Sequence, residues 1–216
     1  VYERQLFNLR PSFIDCRNQS TGDFIRDFDL FIEDYSENRL IIWLDYSISK
    51  NRRVQIVEYE TLLKKLYPGD ILKITINANP KTLGGRMKRE RREETQERRL
   101  QVLKSQLSDY LPTSVEPSQM VSKDLPLVLC SAIRHASLRA ITHSPRLRVV
   151  PIAIFSYNDG YHQMLTVTVV LARQSEVDDF IEKLRRQNWE YLPSEWSDIT
   201  RINMPNLTTK EQLYLE

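Results

Sequence analysis

The chain has 216 residues, a formal net charge of +2 and 41% hydrophobic residues, which is enough for one domain with a sizeable core. Its 5 glycines include no G-x-G-x-x-G or P-loop spacing, and the near-neutral charge is not typical of a nucleic-acid binder. The 2 cysteines and the shortness of every uncharged apolar stretch exclude a disulfide scaffold and a membrane-spanning helix, and they fit a reducing cytosol.

The first part of the chain is predicted to contain a short strand, a short helix and a longer strand. Residues 13–16 fit the short strand, and the turn-forming residues 20–23 can cap a helix over the phenylalanine-rich segment that follows. Residues 39–44 are apolar without alternation, which predicts a strand buried on both faces of a parallel sheet.

A helix and a second strand follow. Apolar residues including Val54 and Val57 keep helical spacing over residues 53–66, and the Pro-Gly pair in residues 67–70 ends that helix. Residues 71–76 are rich in β-branched side chains. Strand, helix and strand in this order predict a βαβ unit.

Two further helices are predicted in a long insertion at residues 86–145. The first begins in the charged stretch 86–99, where pairs such as Glu94 with Arg98 indicate a solvated helix, and continues as a leucine stripe to Leu111. The second begins after Asp124, whose side chain can cap it.

The last predicted elements are a β-hairpin, a helix and a tail. Residues 148–155 and 162–172 fit two strands joined by a loop with an Asp-Gly pair, and a helix begins near Ser175. The tail at 189–216 is expected to be irregular until a capping box at residues 208–211.

Polar side chains follow both predicted parallel strands. In open α/β sheets, ligands bind outside the carboxyl ends of the strands, so Asp45, Tyr46, Asn77 and Asn79 fall where a site is expected. Asp45 is the strongest candidate, because a carboxylate at the end of an apolar strand must be solvated, hydrogen-bonded or functional. The Asn-Ala-Asn-Pro segment at 77–80 is slightly better explained as a turn.

Several segments resemble the Rossmann-like domain of class I S-adenosylmethionine-dependent methyltransferases. Residues 13–25 resemble its third strand and the Gly-Asp element after it, residues 41–46 its fourth strand with a terminal acid, and residues 66–72 the approach to its fifth strand. In that family the sheet ends with a hairpin whose last strand lies antiparallel between its neighbours. Residues 43–46, 75–78 and 206–211 are also similar to bacterial O-methyltransferase-like proteins, some of them associated with phage defence.

The resemblance implies an α/β fold over residues 1–216 as a single domain. The expected architecture is a Rossmann-like open sheet, mostly parallel, with an antiparallel C-terminal hairpin, helices on both faces and the helical insertion. It also implies S-adenosylmethionine as cofactor, held by Glu3 on the ribose, by Gly22 and Asp23 at the adenine, and by Asp45. Asp45 and Tyr46 would be catalytic, and Asn77 and Asn79 would line the substrate pocket. No glycine-bearing first strand is found, so we expect the first strands to lie upstream of residue 1.

Each candidate also has a structural explanation. Glu3 can be an exposed terminal residue, Ser20 or Asp23 can simply cap a helix, and the stretch 86–99 can be a solvated face rather than a track for a phosphate backbone. The histidines lack metal-ligand spacing, so no metal site is predicted.

The sequence leaves three functions open. The first is a cytoplasmic bacterial methyltransferase, in or outside a phage-defence system, with an unidentified small or macromolecular acceptor and no membrane partner. The second is a degenerate methyltransferase-like module that binds a protein partner in a defence complex. The third is a nucleic-acid-binding module using residues 86–99, for which steep salt dependence of binding is expected.

Overall fold

The structure is a computed structural model that describes residues 16–33, 38–160 and 162–203, with the side chain of residue 159 excepted. The chain divides into two compact units, residues 1–38 and 39–216, and each is described by itself. The strand expected at 13–16, the capping box at 208–211 and residue Glu3 lie wholly or almost wholly outside the described residues.

The described part of the first unit consists of two six-residue helices, α1 (Thr21–Arg26) and α2 (Phe28–Glu33). The Ser20 side chain accepts a hydrogen bond from the backbone N–H of Asp23, which confirms the predicted cap at the start of α1. Phe24 and Phe28 meet edge to face, with ring centroids 5.5 Å apart, and Phe28 is buried.

The second unit is built on a five-stranded sheet. Its strands are β1 (Ile41–Asp45), β2 (Ile71–Asn77), β3 (Leu147–Asp159), β4 (His162–Arg173) and β5 (Thr200–Ile202), in the order β1-β2-β4-β3-β5. The neighbours β1 and β2 are parallel, as are β3 and β5. Strand β4 is antiparallel to both β2 and β3 and lies between them. The predicted α/β fold, mostly parallel with a reversed last hairpin strand, is therefore confirmed.

The helices of the second unit are α3 (Arg52–Leu63), α4 (Arg92–Leu107), α5 (Leu125–Ala140) and α6 (Val177–Arg186). Helix α6 packs Val177, Phe180 and Ile181 over a small cluster formed by Val150, Val170 and Ala172.

Helices flank both faces of the sheet. The side chain of Ile71 packs against the α6 cluster, whereas those of Leu72, Ile74 and Ile76 point to the opposite face and are fully buried. Helix α3 contacts β2, and α5 contacts both α3 and β4. The main core therefore lies on the face opposite α6.

The prediction that residues 39–44 form a strand buried on both faces is wrong for β1. This strand lies at an edge of the described sheet, and Ile41 and Trp43 are 78% and 55% exposed, so the strand is not buried on both faces. A second correction concerns α3, whose predicted apolar face included Val54 and Val57. Both are exposed, because the buried face of α3 carries Arg52, Gln55, Ile56, Tyr59, Glu60, Leu62 and Leu63.

The insertion is helical, but its first helix begins later than predicted. Residues 86–91 are not helical, and Arg98 pairs with Glu90 at 3.0 Å rather than with Glu94, which pairs with Arg91 at 2.7 Å. Helix α5 begins after Asp124 as predicted, but the Asp124 side chain makes no capping hydrogen bond.

The hairpin strands are longer than predicted, so only residues 160 and 161 separate them. Gly160 has φ +56°, a conformation that glycine adopts without strain. The expected irregular tail contains the short strand β5, which pairs with residues 155–157 of β3.

Candidate functional site

The carboxyl ends of β1 and β2 meet at one edge of the sheet, because the two strands are parallel and Asp45 is in register with Thr75. The N–H of Tyr46 donates to the carbonyl of Thr75 at 2.9 Å, so the residue after β1 is still tied to β2. Asn77 ends β2 two residues beyond Thr75. The structure therefore brings together the predicted residues of these two strand ends.

Asp45 ends β1 with an exposed side chain. Within residues 16–33, 38–160 and 162–203, no group donates a hydrogen bond to its carboxylate or forms an ion pair with it. The carboxylate is thus solvated, one of the outcomes expected for an acid at the end of an apolar strand, and it is available to a ligand.

Tyr46 is half-buried, and its hydroxyl donates to Oε2 of Glu58 at 2.5 Å. Glu58 lies on α3, so the helix fixes the ring of Tyr46 beside Asp45. The hydrogen bond to the Glu58 carboxylate fixes the orientation of the Tyr46 side chain, and the ring of Tyr46 lies beside the end of β1.

The buried guanidinium of Arg52 lies next to the carboxyl ends of β1 and β2. Arg52, at the start of α3, is fully buried, and all five of its N–H groups have acceptors. Its Nε and Nη2 donate to the carbonyl of Asn77 at 3.2 and 3.1 Å, and Nη2 also donates to Oγ1 of Thr82 at 2.6 Å. Its Nη1 donates to the carbonyl of Ser49 and to Oε1 of Gln106, both at 3.0 Å. Arg52 therefore fixes the end of β2 relative to the segment after β1.

Burial lowers the pKa of Arg52 to about 10, so the guanidinium remains charged at neutral pH. None of its acceptors carries a charge. The strand ends consequently lie next to a buried positive charge.

Asn77 links β2 to β4. Its Oδ1 accepts from the N–H of Asn79 at 3.0 Å, and its Nδ2 lies 3.4 Å from Nδ1 of His162. Because Nδ2 can only donate, Nδ1 is the acceptor in this pair. Asn79 uses its own Oδ1 to accept from the N–H of Lys81 at 2.9 Å, so the predicted turn chemistry is also present.

One buried acceptor near the end of β1 is unsatisfied. Gln55 on α3 is 3% exposed, and its Nε2 donates to the carbonyl of Ile48 at 2.5 Å. Its Oε1 is buried without a hydrogen-bond partner in the described part of the chain. A buried acceptor left in this state costs about 1–3 kcal/mol, which a donor from a ligand or water would recover.

Gly22 and Asp23, the other predicted cofactor contacts, lie on α1 in the first unit. Asp23 accepts from the Ser20 hydroxyl and from Nη1 of Arg26, both at 2.6 Å. The Ser20 hydrogen bond and the Arg26 pairing lower the pKa of the Asp23 carboxyl. Asp23 therefore has a structural role at the start of α1, and its contact with a cofactor stays a prediction, as does that of Glu3.

Three residues of this edge were not predicted from the sequence: Arg52, Glu58 and His162. Charged residues on helices are normally solvated, so no local signal marked Arg52 or Glu58. His162 could have been found from the hairpin, because a strand inserted beside β2 brings its first residues to the end of β2.

No cluster of three His, Cys, Asp or Glu side chains suited to a metal ion occurs in the described ranges. None of the described helices is long and apolar enough to cross a membrane.

Comparison with known proteins identifies one family. The model of a family described as "Putative O-methyltransferase" matches residues 1–216. No curated protein matches the chain.

Proposed function

The chain belongs to the O-methyltransferase family whose model spans its residues 1–216, and from that premise we propose that it transfers a methyl group from S-adenosylmethionine to an oxygen atom of its acceptor. The observation that carries the proposal is the exposed carboxylate of Asp45 at the carboxyl end of β1, which has no hydrogen-bond or ion-pair partner among the residues that the structure describes. This is the edge of an open α/β sheet where ligands bind.

The groups at this edge fit the proposed cofactor. S-adenosylmethionine supplies a methyl group that a positively charged sulfur has already activated. Its hydroxyl and amino groups need acceptors, and the exposed Asp45 carboxylate is available. Glu3, Gly22 and Asp23 complete the proposed cofactor contacts through the family resemblance.

The chain's own residues would then place the acceptor and take its proton. The Asp45 carboxylate accepts the proton of the acceptor hydroxyl, while the ring of Tyr46, held by Glu58, forms the adjacent wall. Asn77 and Asn79 border the other side, and His162 lies beside Asn77. For methyl transfer, such placement accounts for most of what a protein must provide.

The resemblance extends the proposal to a cytoplasmic enzyme of a bacterial phage-defence system that acts with a protein partner. Residues 86–99 remain a proposed contact for nucleic acid. Two of their arginines, Arg91 and Arg98, are already paired with Glu94 and Glu90, which weakens the field available to a phosphate backbone.

Calorimetric titration of S-adenosylhomocysteine into the protein tests the proposal. We expect micromolar binding to the native chain and binding about tenfold weaker for Asp45→Asn, which keeps the shape of the side chain and removes its charge. The matched control is Asp178→Asn, an exposed acid in the first turn of α6, for which no change is expected.

Two results would contradict the proposal. Equal binding by the native protein and Asp45→Asn would place the cofactor elsewhere. No binding by the native protein would favour the alternative of a methyltransferase-like interaction module without activity.

A further inference from the structure

A cleft of about 460 Å³ opens at the same edge of the sheet, farther from β1. It is bordered by the segment after β2 at Asn79, by the end of β3 at 156–158, by Gln163 near the start of β4 and by the end of β5 at 201–203. Residues 122 and 123, just before α5, form the remaining side. Its volume falls in the range of small-molecule sites.

The charged side chains described in the cleft are all positive. Lys81, Lys123 and Arg201 line it, and none of the lining residues that the structure describes has an acidic side chain. Within the described ranges, no carboxylate forms an ion pair with any of the three. Three unneutralised cations around a concave surface concentrate a positive potential there.

Hydrogen bonds brace the walls of the cleft against each other. Gln163 on β4 donates from Nε2 to the carbonyl of Ser122 at 2.7 Å and lies 3.4 Å from the hydroxyl of Ser156 on β3. Arg201 on β5 donates from Nη2 to the carbonyl of Lys123 at 2.9 Å. Lys123 and Arg201 therefore lie on walls that hydrogen bonds connect, and the N–H of Ala78, three residues before Lys81, donates to the carbonyl of Gln163 at 2.7 Å. The walls of the cleft are thus joined before a ligand enters.

We propose that this cleft binds an oxyanion group, phosphate or carboxylate, of the methyl acceptor. The inference rests on the proposed function, because it assigns a chemical class to the acceptor. Neighbouring strands lie about 4.8 Å apart and each residue advances about 3.3 Å along a strand, so Gln163, two strands across and three residues beyond the level of Asp45, lies roughly 14 Å from the end of β1. An acceptor of ordinary metabolite size can span that distance, with its anion in the cleft and its hydroxyl near Asp45.

Titration with inorganic phosphate, followed by backbone amide chemical shifts at constant ionic strength, tests the proposal without cofactor. We expect saturable shifts at residues 81, 122–123, 156–158, 163 and 201–203. In the triple variant Lys81→Gln/Lys123→Gln/Arg201→Gln, binding should weaken about tenfold, as expected for the loss of three partly solvated charge contacts.

The control variant Lys104→Gln/Lys183→Gln/Arg185→Gln removes the same charge from exposed helical positions and should bind phosphate like the native protein. Equal weakening in both triple variants, or shifts spread over unrelated lysines and arginines, would overturn the proposal. Acetate in a parallel titration separates the two sources of the anion: phosphate shifts alone indicate a phosphorylated acceptor, and shifts with both ions extend the site to carboxylates.

The two proposals fail separately. Phosphate binding without S-adenosylhomocysteine binding would refute the proposed methyl-donor site but not the proposed anion site in the cleft. Cofactor binding without a localised phosphate site would refute the cleft alone.

Discussion

Replacing Arg52 by lysine tests how the end of β2 is held in place. Lysine keeps the positive charge but has three N–H donors instead of five and no planar fork. The acceptors lie on different segments, at Ser49, Asn77, Thr82 and Gln106, and a single ammonium cannot reach all of them.

The structure sets the size of the effect. At least two hydrogen bonds from a charged group are lost, each contributing about 1.5–3 kcal/mol to stability. An ammonium is also more strongly hydrated than a guanidinium, so its burial is less favourable. We expect Arg52→Lys to lower the free energy of unfolding by about 3–5 kcal/mol, which corresponds to a fall in Tm of roughly 6–20 °C for a chain of this length.

Urea denaturation followed by circular dichroism, together with the thermal midpoint, measures this loss. The control is Arg53→Lys at the next position, where the side chain is 48% exposed and its only described ion pair, with Asp109, is 3.7 Å long. That change should cost less than about 1 kcal/mol. If Arg52→Lys costs no more than Arg53→Lys, Arg52 does not hold the end of β2.

Three further predictions follow from the described contacts. Hydrogen bonds from Arg98 lower the pKa of Glu90 to about 2, so Glu90 stabilises the fold above about pH 4.5 and loses that contribution as the pH falls toward 2. In urea denaturation, the free energy of unfolding of the native protein should therefore exceed that of Glu90→Gln above about pH 4.5, and the difference should vanish as the pH falls toward 2. Burial raises the pKa of Cys130 to about 12, so Ellman's reagent should label Cys16 alone in the native protein and both thiols in urea; rapid labelling of both would contradict the burial. Tyr59→Phe removes a fully buried hydroxyl that is hydrogen-bonded at 2.8 Å to Ser137 on α5, so it should lower the free energy of unfolding by about 1 kcal/mol in the same assay. An unchanged denaturation midpoint would contradict a stabilising role for this hydrogen bond.

The strands were predictable where the sequence signal is local. Residues 71–76 and the hairpin are runs of β-branched residues bounded by turn residues, and these runs form strands in the structure. The exposure of β1 was not predictable in the same way. A continuous apolar run shows that a strand can be buried, but its neighbours in space decide whether it is, and β1 has a single described neighbour.

The candidate site was predictable only in part. Asp45, Tyr46, Asn77 and Asn79 follow directly from strand ends, and the structure places them at one edge. The residues that hold this edge are distant in sequence and gave no local signal. Arg52 reaches Gln106 across 54 positions, and Asn77 meets His162 across 85.

The cationic cleft was not predictable from the sequence for the same reason. Lys81, Lys123 and Arg201 belong to three separate segments, none of them unusually basic, and the order of the strands brings those segments together. The sequence therefore indicated only the charged run at residues 86–99, where part of the charge is neutralised by neighbouring glutamates.

A crystal structure of the chain with S-adenosylhomocysteine tests the proposed position of the cofactor directly. We expect the ligand at the carboxyl ends of β1 and β2, with a hydroxyl or amino group bonded to Asp45 and its sulfur facing the side of Asn77. A ligand bound at any other edge of the sheet, with Asp45 still solvated, would contradict it.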